Sequence, residues 1–219
     1  MPSENFERVK KMKKNIVYLP QPDLKEPVSF RSNIGISQET LDLLHEKGRQ
    51  NGLESILPFR INNIVVAQWV NLKCRYGCSQ YKANWSCPPA TPDFNEVKTI
   101  LSEYATGLML IGSQNRNDFY KDSNRNRTDQ VKYWKGTVSL ERMLFLQGYD
   151  KAISLVSGAC SLCKQCAYPD ACRFPMEKRP TVESFYIDLV GTLKNLGIET
   201  RVAMELHETF KYYSIILLD

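Results

Sequence analysis

The sequence predicts one α/β (or α+β) domain, a mixed central sheet covered by helices, with two cysteine loops at one edge of the sheet. Three observations carry that prediction. Apolar runs of strand length alternate with segments of helical period along most of the chain. The 219 residues suffice for one sizeable core and are short for two. All seven cysteines fall in two short stretches, each directly after a strand-like run.

Composition narrows the function. Hydrophobic residues make up 42% and charged residues 24%, as in a soluble globular protein. No apolar run approaches the roughly 18 residues that would cross a bilayer. The N-terminus is basic without an apolar h-region behind it, so a cytoplasmic protein is expected. In a reducing cytoplasm, clustered thiols point to metal or redox chemistry rather than disulfides, and an odd total of seven agrees. The net charge of +5 does not imply nucleic acid by itself, and a basic surface suits an acidic redox partner.

Residues 1–32 read as an arm. Arg8, Lys10, Lys11, Lys13 and Lys14 form a basic run, and the prolines that follow favour extended chain. Such an arm is either solvated or packed on a partner subunit. The domain proper is expected over 33–219. Ser37 is a good N-cap for a helix carrying Leu41, Leu43 and Leu44, ended near Gly48 or Gly52. Residues 56–61 and 64–70, on either side of Asn62 and Asn63, read as a hairpin leading into Cys74. Thr91, with Pro92 at the first position, predicts a helix through Phe94, Val97, Ile100, Leu101 and Tyr104, ended by Gly107. A short buried strand over 108–111, a polar loop over 113–130 and a long helix over 131–147 follow. Residues 152–156 form a strand leading into Cys160. Thr181 caps a further helix ended by Gly197, and strands over 198–202 and 212–218 close the chain.

Two passages, about 64–111 and 152–202, thus share one order: strand, cysteine loop, capped helix, strand. If each were a right-handed βαβ unit in one sheet, both loops would leave the carboxyl ends of strands at the same edge and meet.

The cysteine spacing carries the chemistry. Cys160, Cys163 and Cys166 stand at C-x-x-C-x-x-C, with Cys172 after five residues and Pro175 beyond. This varies the run that holds iron–sulfur clusters in bacterial ferredoxins. Cys74, Cys78 and Cys87 form the second group. Three cysteines in such a run suit a [4Fe–4S] cubane better than one zinc ion, which usually takes paired C-x2-4-C units. One or two clusters are expected, with zinc as the alternative. Cys172 either completes its own loop or serves the Cys74 group; in both cases seven thiolates leave one position of two four-ligand sites unfilled. The spacing of Cys74, Cys78 and Cys87 does not match the C-x3-C-x2-C triad of radical enzymes.

Other residues are secondary. His45 falls on a helix far from both loops, and His207 precedes the last strand. Arg173, Lys178 and Arg179 either offset cluster charge or pair with Glu177 and Glu183. Tyr81, Trp85 and Tyr168 suggest a hydrophobic shell. Arg116, Lys121, Arg125 and Arg127 belong to the polar loop, either solvated or facing a polyanion.

Taken together, Cys74-Arg-Tyr-Gly-Cys78-x-x-Tyr81, Trp85-Ser-Cys87-Pro-Pro, Leu140-Glu-Arg142, Phe145-x-x-Gly-Tyr149, the Cys160–Pro175 run and Arg179-Pro180 resemble an uncharacterised prokaryotic family of predicted metal-binding proteins common in anaerobes. The resemblance runs from about residue 55 to the C-terminus. It implies metal at the cysteines and gives no reaction. Tyr186 stands where that family often has a small residue, often glycine. There is no G-x-G-x-x-G and no P-loop. The functions expected are therefore an iron–sulfur electron carrier serving a partner enzyme, an enzyme with an open iron performing Lewis-acid or desulfuration chemistry, or a zinc-stabilised interaction module. A homo-oligomer is compatible with each.

Overall fold

The computed structural model describes residues 35–115, 123–200 and 209–219. The basic arm, part of the polar loop, His207 and part of the strand expected over 198–202 lie outside them.

Helix α1 (Gln38–Gln50) starts where expected: the Ser37 hydroxyl accepts from the Thr40 amide. Strand β1 (Leu53–Arg60) follows, then helices α2 (Trp69–Gly77) and α3 (Phe94–Ser102), strand β2 (Thr106–Asn115), and the long helix α4 (Ser123–Leu146). Strand β3 (Ile153–Leu155), helix α5 (Leu189–Asn195) and strand β4 (Thr209–Leu217) complete the described order.

The sheet runs β1-β2-β4-β3, and each of its ladders is antiparallel. The helix-and-strand class expected from the sequence holds, in its α+β form. The parallel βαβ pairing does not: the C-terminal strand inserts between β2 and β3, and among the described residues the one parallel contact outside the strands is the isolated bridge from Val156 to Thr181. Strand alternation sorts the core into two layers. Leu108 and Leu110 of β2, with Ile216 of β4, face Leu44 of α1 and Trp134, Val138 and Leu144 of α4. Met109, Ile111, Ile215 and Leu217 face Val97 and Leu101 of α3 and Leu193 of α5. Both central strands are covered on both sides, which is why they read as continuous apolar runs.

Three local expectations are corrected. Residues 56–70 do not form a hairpin. Ile61–Asn63 is a 3-10 turn, after which the chain crosses to residues 186–188, with Ala67 donating to the Tyr186 carbonyl at 2.8 Å and Asp188 to that of Val65 at 2.8 Å. The following apolar residues then form α2, placing Cys74 on a helix rather than in a loop after a strand. A short apolar run fits either period, and here the long-range pairing decides. Asp93, not Thr91, caps α3: its side chain accepts from Asn95 and Glu96 while Glu96 bonds back to the Asp93 amide. Gly107 lies inside β2, where an added Cβ would stand 2.7 Å from the Phe59 ring.

The helix expected from Thr181 splits in two. A 3-10 turn (Glu183–Phe185) ends at Tyr186 in the left-handed region (φ 56°), and Asp188 caps α5. A non-glycine residue there carries about 1–2 kcal/mol of backbone strain. Tyr186 is held by an edge contact with Phe94 (5.4 Å) and by a bond from Asn71 (3.4 Å). Tyr186→Val loses both contacts and is β-branched at positive φ, so it should lower stability by about 1–2 kcal/mol in thermal melts, whereas Tyr186→Gly should lie close to the parent because the relieved strain offsets the lost contacts.

Candidate metal centre

All seven cysteines are free thiols, so the disulfide reading finds no support. They fall into two groups. Cys160, Cys163, Cys166 and Cys172 line one hollow of about 310 Å³, counted out to its solvent mouth. Trp85, Ser86, Leu162, Phe174 and Lys178 complete its wall. Cys74, Cys78 and Cys87 form the other group, near enough for the sulfurs to sense one another's charge. The two adjoin through consecutive residues, since Ser86 lines the hollow and Cys87 belongs to the other group. Cys172 stands with Cys160 and Cys166.

Helix α4 holds the 160–180 segment along one face. Arg127 donates to the Leu162 carbonyl at 2.9 Å, and the Ser161 hydroxyl bonds Gln130 at 2.6 Å. The Trp134 indole donates to the Glu177 carbonyl at 2.7 Å. Further along, the Arg179 Nε donates to both Glu141 oxygens at 3.0 and 2.8 Å, and Glu141 also accepts from the Ser154 amide at 2.7 Å. Arg142 reaches the Met176 carbonyl and Glu177. Positions 127, 130, 134 and 141 repeat at three, four and seven residues, so they share one side of a helix. Arg127 is therefore a structural anchor on α4, not part of a polar loop. Arg179 is likewise engaged by Glu141, and Arg173 bonds the Gln165 carbonyl at 2.9 Å, while Lys178 lines the hollow with its ammonium 4.6 Å from the centre of the Trp85 ring. Trp85 in turn bonds the Asp170 carbonyl (2.8 Å) and meets Tyr168 edge-on.

Burial pushes the Cys160 thiol up, and the neighbouring Cys166 and Cys172 add to this; the Leu162 amide and the Ser86 hydroxyl pull it back. Ser86 is buried and its hydroxyl has no partner that meets hydrogen-bond geometry, which leaves it available to the sulfur side of the hollow. Four thiols, one orphaned hydroxyl and an adjacent cation suit an anionic, thiolate-held metal group.

In the other group, Cys74 lies on α2, Cys78 caps its C-terminus in the open, and Cys87 is buried. Cys87 is pushed up to about 12, chiefly by burial and further by Cys78, Cys74 and Glu183, against a bond from Asn84 that lowers it. Cys74 is raised by burial, then by Glu183 and Cys78. The protonated form of Cys87 is thus favoured by folding. Its contribution is complete below the ordinary value of 9.0 and is lost as pH rises to about 12. Metal-free protein should accordingly lose thermal stability over that interval, and Cys87→Ala should flatten the loss. Metal uptake must displace these protons, so it strengthens as pH rises towards neutrality and above.

Glu183 is the residue that sequence reasoning assigned only to a possible ion pair. It stands on the 3-10 turn against α2, and its charge is felt at both Cys74 and Cys87. His45 lies on α1, which contacts β1 and α4. Among the described residues no three His, Cys, Asp or Glu side chains are closed tightly enough to hold a single ion as they stand.

An α+β domain whose free thiols gather in two groups suits a metal-binding protein. The chain belongs to the family described as predicted metal-binding protein (DUF2284), whose model matches residues 58–218. No curated protein and no solved structure matches it. Among the described residues no helix is long and apolar enough to cross a membrane.

Proposed function

We propose that this protein is a cytoplasmic iron–sulfur protein of an anaerobe that carries electrons to or from a partner enzyme. The observation that carries the reading is the hollow lined by Cys160, Cys163, Cys166 and Cys172, four thiols at ferredoxin-like spacing with Lys178 beside them. A [4Fe–4S] cluster held there would supply one-electron redox chemistry. The protein's own part is to hold the thiols on a loop pinned to α4, wall them with Trp85 and Phe174, and offset charge through Lys178. The proximity of the second cysteine group through Ser86 and Cys87 would give electrons a short path between two centres.

A docking face supports the partner. Helix α2 exposes Trp69, Leu72 and Tyr76 at helical spacing, with Lys73 and Arg75 between them, beside the exposed Cys78. An apolar stripe rimmed by cations suits an acidic protein surface, which would speed encounter. A second reading, an enzyme with an open iron, is favoured by one observation: the Cys74 group has only three thiols. Reductive titration of anaerobically purified protein, followed by electron paramagnetic resonance, tests the choice. A carrier takes up one electron per cluster with a spectrum indifferent to added small thiols. A spectrum that changes with such thiols favours the enzyme, and no reducible signal at all rejects both.

A further inference from the structure

We propose that the Ser86 hydroxyl donates a hydrogen bond to a sulfur of the group held by Cys160, Cys163, Cys166 and Cys172, and so raises that group's reduction potential. The inference deepens the reading of this hollow as an iron–sulfur site and rests on it. Its starting point is a polar atom without a partner. Ser86 is 1% exposed, and its hydroxyl meets no other group in hydrogen-bond geometry. The rest of the residue is already engaged. Its amide donates to the Asn84 side chain at 2.9 Å, and its carbonyl accepts from the Thr181 amide at 3.2 Å. Asn84, itself buried, donates in turn to the Gln80 side chain at 3.0 Å. The fold thus holds Ser86 from both sides and leaves its one side-chain donor unused. A buried hydroxyl without a partner costs free energy, so its presence calls for an acceptor that the metal-free chain lacks.

The hollow supplies one kind of acceptor. Ser86 lines it together with the four cysteines. Of the other described residues that line it, Leu162 and Phe174 have apolar side chains, while the Trp85 indole and the Lys178 ammonium can only donate. Sulfur is therefore the side-chain acceptor that this wall offers the hydroxyl. The same wall already carries a bond of this kind, because the Phe174 amide donates to the Cys172 sulfur at 3.4 Å. Hydrogen bonds to the sulfurs favour the more negative, reduced state, which raises the potential. Ser86 acts through sulfur and is a positioning residue rather than a ligand. The step it tunes is the one-electron exchange with a partner protein, in which no bond forms or breaks.

The test uses the full chain reconstituted without oxygen with iron and sulfide, as the parent, Ser86→Ala and Ser86→Thr. Cys163→Ser is included to mark which redox signal belongs to this hollow. Iron and sulfide per chain, thermal melts of the metal-free protein and potentiometric titrations are read on each. Ser86→Ala should keep the parent's iron and sulfide. Its metal-free form should melt no lower than the parent, because no hydrogen bond is lost there. The signal that Cys163→Ser lacks should nevertheless fall in potential by about 59 mV, a tenfold change in its one-electron equilibrium. Ser86→Thr, which keeps a hydroxyl, should restore most of that shift. A Ser86→Ala protein with the parent's potential overturns the proposal and leaves the iron–sulfur reading standing. So does one that fails to fold, or melts well below the parent, when metal-free, since the hydroxyl would then serve the fold itself. A parent chain that takes up no iron and sulfide, or whose signals all survive Cys163→Ser, brings the proposal down together with the reading beneath it.

Discussion

On the two-cluster form of the iron–sulfur reading proposed above, replacing Cys163 with serine should remove the cluster of the 160–172 loop outright, lowering iron and acid-labile sulfide by roughly half while the Cys74 group keeps its share. The physical reason is that this thiol is one of four lining a single hollow, and a hydroxyl is a poor substitute for a thiolate at iron. Cys172→Ser should behave in the same way. In ferredoxins with two clusters the last cysteine of the run crosses to the other cluster. Here Cys172 lines the same hollow as Cys160, Cys163 and Cys166, so its loss should spare the Cys74 group. Metal analysis and absorption spectra of the two variants side by side make the comparison. Iron lost instead from the Cys74 group in Cys172→Ser would contradict the grouping.

Glu141→Gln should be strongly destabilising. Glu141 is buried and serves two elements at once, gripping Arg179 at the end of the cysteine segment and the Ser154 amide on β3. Removing one partner of a buried pair leaves the other charge unmatched and costs about 3–5 kcal/mol. For a domain of this size that corresponds to a fall in Tm of roughly 10 °C. The loss should be accompanied by faster release of metal from the 160–172 loop, because Arg179 and Glu177 tie that segment to α4. Removing both charges with the pair Glu141→Leu and Arg179→Met should recover part of the stability, since an apolar pair leaves no unmatched charge. Calorimetry of the two variants separates this account from one in which Glu141 merely fills space.

The sequence made some features legible because they depend on neighbours along the chain. Ser37 as a cap, the helical period of Leu140 and Leu144, the strand before Cys160 and the grouping of the cysteines are all of this kind. Features set by distant pairing were not legible. The segment 64–70 has the composition of a strand, yet its partner is residues 186–188 rather than the preceding strand, and α2 begins inside it. The antiparallel insertion of β4 between β2 and β3 has no local signature, so the parallel arrangement drawn from the repeated order of elements failed. Arg127 and Gln130 lay in a polar stretch that reads as loop, and their role emerges only when α4 is seen to continue through it. Glu183 is the same case: one carboxylate among many in the sequence, which the fold places on a turn packed against α2.

Iron, zinc and acid-labile sulfide per chain, measured on protein purified without oxygen, test the central claim most directly. The account predicts iron and sulfide in equal amounts, at about four of each per cluster, with zinc well below one per chain. One or two zinc ions with no sulfide would contradict it, and would make the cysteine groups structural staples instead of redox centres.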